Sequence, residues 1–317
     1  MPSASNNMRA LPLAEGDLIR LVAPAGLFDK DRFERGVRII EEQGFRAKYR
    51  PDVLETNRYM AGTDERRLTE LQEAFDDTEA RAVWAIRGGY GSMRLLPHLD
   101  TSRMLSLRKL FIGFSDVTAI HAILNRDGLV TLHGPMVAGL HDCSMEASNL
   151  LWRLVGNEAP RDPYEWEPPL VIRRGLCSGR LLGGNLSLLT RLLGTPFFPD
   201  PTGAILVIEE VGEAPYRVDR MLTHLELAGV TRRLSGVLIG GLTGCEAKDA
   251  AYSCLDVVAD RVRSWGVPAI TGFPIGHGDL NLPLPLGAHA VLDCGEGSLA
   301  LEDSAGGMGW KSKPGTG

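Results

Sequence analysis

Ser115 stands at an abrupt change of pattern. The run "KLFIGF" before it is apolar and strand-like, and "DVTAIHAIL" behind it carries the apolar spacing of a helix. A serine at such a junction can cap the helix, its hydroxyl accepting a backbone N–H of the first turn, with Asp116 then complementing the helix dipole. The same position also suits a nucleophile. A sharp strand-to-helix turn exposes the hydroxyl beside helix N–H groups, and the N–H of Asp116 can face a developing oxyanion. The G-x-S-x-G form of that elbow is absent, the residues being Gly113-Phe114-Ser115-Asp116-Val117.

A serine hydroxyl is inert until a base removes its proton, and histidine is the side chain suited to that at neutral pH. The chain has seven. His121 lies on the serine's own helix and, nearly two turns on, points elsewhere. His98, His141 and His289 read as surface or loop residues, and His224 as a structural residue on a helix. His133 in "TLHGP" and His277 in "FPIGHGD" both remain open as the base, since spacing does not choose between them. The base needs an acceptor to fix its tautomer, and "ILVIEEVGE" offers Glu209, Glu210 and Glu213. Acids ending an apolar strand are either solvated or paired, because an unpaired buried carboxylate is costly.

Other chemistries find less support. "RGGYG" (Arg87 to Gly91) reads as a tight turn whose small residues permit close backbone approach. It fits neither G-x-G-x-x-G nor the phosphate loop ending in Gly-Lys-Ser/Thr. H-E-x-x-H is absent, and no His/Cys cluster has zinc-ligand spacing. A substrate with a free carboxylate would want a cation, for which Arg87, Arg94 and Arg217 are candidates, each equally readable as a solvated surface residue.

The elements that must position these groups alternate strand and helix. "DLIRLVAPAG", "RAVWAIRGG", "KLFIGFS" and "LVTLHGP" are strands, separated by helices such as "KDRFERGVRIIEEQG" and "TDERRLTELQEAFDD", the latter capped by Thr63. That alternation predicts an α/β, doubly wound parallel sheet over residues 12–155, with ligands at the carboxyl ends of the strands, where "RGGYG" and "GFSD" fall. A Pro- and charge-rich stretch, 156–170, reads as a linker. Residues 171–303 read as a second domain of Gly-bent strands and helices, and the tails 1–11 and 304–317 as disordered.

Bulk properties bound the partners. At 317 residues the chain exceeds one ordinary core, and its 44% hydrophobic and 23% charged composition is that of a globular protein. A formal charge of −6 gives no electrostatic case for nucleic acid. No apolar stretch is long enough to span a membrane and no secretory signal is evident, and five scattered cysteines read as reduced thiols; the expected location is cytoplasmic.

Together, "AIRGGYGSMRLLPHLD", "FIGFSDVTAIH", "TLHGPM", "GRLLGGNLSLLTRLLGTP", "VIEEVGEAPYRVDRMLTHL", "GVLIGGLTG" and "GHGDLNLPLPLGAHAVLD" resemble the LD-carboxypeptidase family of serine peptidases (S66), in the family's order from about Val22 to Asp293. The resemblance implies a Ser-His-Glu triad divided between two domains: Ser115 as nucleophile with capping as a second role, His277 as base and Glu209 as orienting acid. It implies oxyanion donors at the backbone N–H groups of Gly89 and Asp116, a C-terminal domain with barrel-like β structure, and a homodimer. It implies no metal or cofactor, and a small peptide substrate: murein tetrapeptides, from which terminal D-alanine is removed in cell-wall recycling. The alternatives are the family's microcin-C immunity branch, which cleaves an acyl-sulfamoyl nucleotide and would need an aromatic platform for the base, and a non-catalytic carboxylate-binding protein. Adjacent strand residues face opposite ways, so only one of Glu209 and Glu210 can meet the histidine.

Overall fold

The computed structural model describes residues 8–156, 164–247 and 251–302. In the first half, five strands run parallel: β1 (Leu18–Val22), β2 (Arg46–Lys48), β3 (Ala80–Ala85), β4 (Leu110–Gly113) and β5 (Thr131–His133), in the order β5-β4-β3-β1-β2. Period-two alternation sends neighbouring side chains to opposite faces, and both faces are covered. Ile19, Leu21 and Trp84 pack under helices α1 (Lys30–Glu42) and α5 (Met145–Val155). Val83, Ala85 and Phe111 pack under α2 (Asp64–Asp76), α3 (Thr101–Ser106) and α4 (Thr118–Arg126). The helices start where the sequence signals them. Asp29 accepts the Arg32 N–H at 2.8 Å and Thr63 the Arg66 N–H at 3.2 Å, each satisfying an otherwise orphaned donor.

Among the described residues the second sheet has eight strands. Its centre is the parallel set β8 (Leu176–Asn185), β9 (Ile205–Val211), β10 (Gly236–Thr243) and β11 (Ala269–Ile270), interleaved with α6 (Leu186–Arg191), α7 (Pro215–Leu227) and α8 (Cys254–Ser264). Antiparallel strands β6 (Tyr164–Glu165), β7 (Val171–Arg173), β13 (His289–Asp293) and β14 (Ser298–Leu301) extend it, giving the order β6-β14-β13-β8-β9-β10-β11-β7. The expected fold, a doubly wound front lobe with a rear lobe of barrel-like β structure and helices, describes this architecture.

Three segments differ from the sequence reading. β12 (Leu284–Leu286) belongs by sequence to the rear lobe yet joins the front sheet, pairing antiparallel with β5 at Leu284–His133. Its Leu-Pro alternation suits an edge position, where a missing N–H costs nothing. Residues 164–170 of the expected linker are packed chain: the Tyr164 hydroxyl donates to Pro283 O at 3.0 Å and the Trp166 indole N–H to Thr271 O at 2.8 Å. Met8 to Leu11, expected within a disordered tail, lie against the front lobe, with Met8 N–H donating to Gly128 O at 2.8 Å and Leu11 N–H to Arg108 O at 3.3 Å. The remaining tail residues, 1–7 and 304–317, fall outside the described residues.

Candidate active site

β4 ends at Gly113, and Ser115 opens a 3₁₀ turn, Ser115–Val117, that runs into α4. Ser115 has φ +64°, the left-handed region, which non-glycine residues occupy at a cost of about 1–2 kcal/mol. Neither the 3₁₀ turn nor α4 has a side-chain cap, so the expected capping role of Ser115 is absent. Its hydroxyl is turned instead to His277, with Oγ 3.0 Å from Nε2. The left-handed backbone is the reason, since it swings the side chain off the helix start.

His277 reaches the serine from the rear lobe, across 162 residues of sequence. Its Nδ1 lies 2.8 Å from Oε2 of Glu209, a wholly buried carboxylate, while the ring itself stays partly open to solvent. A neutral ring that donates its Nδ1–H to Glu209 presents an accepting Nε2 to the Ser115 hydroxyl. Gly276 makes this approach possible. Its φ is +102°, and a Cβ there would lie 2.5 Å from Glu209 Oε2. The loop is pinned by Asn281, whose side-chain oxygen accepts the Gly276 N–H at 3.0 Å. Phe114 packs against the imidazole, ring centroids 4.9 Å apart.

Glu210 points to the other face of β9 and is also buried. It accepts from Ser187 N–H at 2.8 Å, Val211 N–H at 2.9 Å and the Asn185 side-chain amide at 3.2 Å. Asn185 in turn donates its backbone N–H to Thr118 Oγ1 at 3.0 Å. Glu210 therefore ties β9 and β8 to the helix behind Ser115. Glu213 pairs with Arg217 at 3.1 Å on the surface.

Gly88 fills the space beside Ser115: a Cβ there would lie 2.9 Å from Ser115 Cβ and 3.2 Å from Asp116 N. Its carbonyl accepts the Gly26 N–H at 2.8 Å. Gly89 follows with φ +100°. The Asp116 carboxylate, expected as a first-turn helix acid, is buried and accepts the Ser92 N–H at 2.8 Å, while the Ser92 hydroxyl donates to Asp116 O at 2.6 Å. Desolvation pushes this carboxyl above its ordinary pKa, against hydrogen bonds from Ser92 and Gly91 and the nearby Arg67 charge. Arg67, fully buried, holds the opposite side of the turn through Gly91 O at 2.9 Å and also bonds Pro24 O. The Arg87–Ser92 turn is thus clamped to the elbow from two directions.

His133 is buried beyond Phe114, at a ring distance of 5.6 Å, and desolvation lowers its pKa to about 3. His121 is buried too, its ring nitrogens 2.7 Å from Thr131 Oγ1 and 2.8 Å from Gly113 O, and its pKa is lowered to about 4. Neither reaches Ser115 by a hydrogen bond. A groove of about 870 Å³ opens beside His277, lined from the front lobe by Arg32, Arg87, Phe114 and Ser144 and from the rear by Asp279 and Asn281. Arg94 and Arg217 do not line it. Among the described residues no group of three or more His, Cys, Asp or Glu is placed to hold a metal ion, and no helix is long and apolar enough to cross a membrane.

Comparison with known proteins gives matches over both lobes. Residues 19–134 match the LD-carboxypeptidase N-terminal domain and residues 178–292 the LD-carboxypeptidase C-terminal domain. A probable murein peptide carboxypeptidase of Bacillus subtilis is 34% identical over 304 residues, 94% of this chain and 95% of the relative. The microcin C7 self-immunity protein MccF of Escherichia coli is 28% identical over 336 residues, 94% of this chain and 97% of the relative. The crystal structure of muramoyltetrapeptide carboxypeptidase from Oxalobacter formigenes superposes with a TM-score of 0.79 at 29% identity, covering 90% of this chain and 97% of the other.

Proposed function

The chain belongs to the LD-carboxypeptidase family, and from that membership and the site geometry we propose that it is a serine carboxypeptidase releasing the terminal D-alanine of murein tetrapeptides. The observation that carries the reading is the unbroken hydrogen-bonded series Ser115, His277, Glu209, whose members come from both lobes and meet at 3.0 and 2.8 Å. A cap, or a receptor for carboxylates, has no need of a base on the hydroxyl or of an acid behind that base.

In this mechanism neutral His277 takes the proton of Ser115 as its Oγ attacks the carbonyl of the L,D peptide bond. Glu209 stabilises the imidazolium that forms and holds its tautomer. The oxyanion is met by the N–H groups of Asp116 and Gly89. A trans peptide sets its C=O and N–H on opposite sides, so a Gly88 carbonyl engaged by Gly26 leaves the Gly89 N–H directed away from Gly26. Protonated His277 then gives its proton to the leaving amine, D-alanine departs, and a water activated by the same imidazole resolves the acyl-enzyme.

The reading places the enzyme in the cytoplasm, acting on murein peptides during recycling, as a homodimer. Incubation with L-Ala-γ-D-Glu-meso-diaminopimelyl-D-Ala, scored by mass, should yield the tripeptide and free D-alanine, unchanged by EDTA. An intact tetrapeptide beside a cleaved acyl-sulfamoyl nucleotide would move the assignment to the immunity branch.

A further inference from the structure

We infer that Arg87 is the residue that reads the free carboxylate at the end of the substrate, the contact that makes this site select a chain terminus; the inference rests on the acyl-transfer reading above. Among the described residues, three basic side chains line the groove: His277, Arg32 and Arg87. His277 is committed to Ser115 and Glu209. Arg32, on α1, is held by the Asp142 carboxylate and donates to Ala138 O at 3.2 Å. Arg87 has no carboxylate partner among the described residues. Its Nη1 donates to the Leu27 carbonyl, and most of its N–H donors remain for a ligand. A guanidinium anchored at one corner keeps its planar fork aimed, and that fork matches a carboxylate with two parallel bonds.

Its place in the chain fits the distance required. Arg87 directly precedes Gly88, the residue packed against Ser115 and the Asp116 N–H. In the substrate, one C–N, one N–Cα and one Cα–C bond separate the scissile carbonyl carbon from the terminal carboxylate carbon, about 4.3 Å along the chain. The recognising cation therefore has to stand beside the oxyanion turn. The other arginines offered by the sequence are occupied elsewhere, Arg94 by Asp64 at 2.8 Å and Arg217 by Glu213 at 3.1 Å. Of the groove's acids, Asp142 faces Arg32 and Asp29 accepts the first-turn N–H of α1; Asp279 lies two residues beyond His277 on the rear lobe.

The test is a titration calorimetry series in the Ser115→Ala background, where ligand is bound and not consumed. Its two probes are the tetrapeptide ending in D-alanine and the same peptide ending in D-alaninamide. The acid should bind about 10–100-fold more tightly than the amide, as expected for a charge-assisted pair. Adding Arg87→Gln should abolish that difference by weakening the acid alone, and Arg87→Lys should restore part of it. Equal weakening of both peptides by Arg87→Gln, no weakening of either, or no acid preference with Arg87 intact overturns the assignment. Far-UV circular dichroism checks that the variants are folded; if Arg87→Gln is not, the acid preference with Arg87 intact and its change in Arg87→Lys decide. Arg87-dependent binding of the acid by a wild-type protein that releases no D-alanine would contradict the acyl-transfer reading and leave the carboxylate assignment standing. Binding of neither peptide would end both.

Discussion

β4 and β9 each deliver one side chain to the hydrogen-bonded series, Ser115 from just beyond the end of β4 and Glu209 from near the end of β9. At the end of β4 the main chain does the aiming. Ser115 takes a left-handed φ, and Gly88 leaves room that any side chain would occupy. At the end of β9 the backbone is ordinary strand, and the aiming is done by burial and by what the side chain touches. Glu209 and Glu210 are neighbours with the same chemistry, yet one ends on His277 and the other on three donors that include two backbone N–H groups. The front lobe thus places backbone strain at Ser115, while the rear lobe uses the alternation of a strand to separate an acid that meets the imidazole from one that meets backbone donors.

That contrast is open to direct attack. Glu209→Gln keeps the shape and removes the charge behind the imidazole. It should lower kcat by about 10³–10⁴-fold with little change in melting temperature, as expected when the base loses its orienting carboxylate. A loss under tenfold would mean that the rear lobe contributes shape alone. Gly88→Ala attacks the front lobe while leaving every reacting group chemically intact. The added methyl must displace Ser115 by several tenths of an ångström, and kcat should fall by about 10²-fold with KM nearly constant. An unchanged kcat would show that the elbow yields freely.

The buried imidazoles give a pH dependence of stability. His121 and His133 titrate in the folded protein at about 4 and about 3, below the ordinary 6.5, because burial disfavours the charged ring. The unfolded chain therefore binds more protons between those values. The stability they contribute is complete above pH 6.5 and is lost as pH falls through that range, on the order of 3 kcal/mol for His121. Glu70 and Asp116, buried carboxyls shifted upward by desolvation, act in the opposite sense. Urea melts from pH 7 to 4.5 should therefore be compared with His121→Gln. The variant should show the shallower decline; parallel curves would contradict the assignment of the slope to this ring. The smallest effect is expected at Glu210→Gln, which should cost about 1–2 kcal/mol in urea melts while changing kcat less than threefold. A large kcat loss there would collapse the distinction between the two acids.

Much of this arrangement is visible in the residue order. The parallel front sheet follows from strand-helix alternation, the Asp29 and Thr63 caps from local pattern, and Ser115 from its place at a strand-to-helix junction. The choice between His133 and His277 is open on spacing alone, because His277 and Ser115 lie 162 residues apart and meet only through tertiary packing. Strand alternation separates Glu209 from Glu210 without saying which faces the histidine; Gly276, the residue that admits Glu209, lies on another element. The Asp116 carboxylate was hidden for a similar reason. In sequence it reads as a first-turn helix acid, and only the fold brings the Ser92 N–H to it. β12 crosses between lobes on three residues, too short a segment for its pattern to declare a partner sheet.

The convergence of Ser115 and His277 is measured most directly by fluorophosphonate labelling at neutral pH, read as the mass of the peptide carrying residue 115. Wild type should give one adduct, on Ser115, at a rate at least about 10³-fold above that of His277→Ala. Equal rates in the two proteins, or an adduct on another residue, would contradict the account.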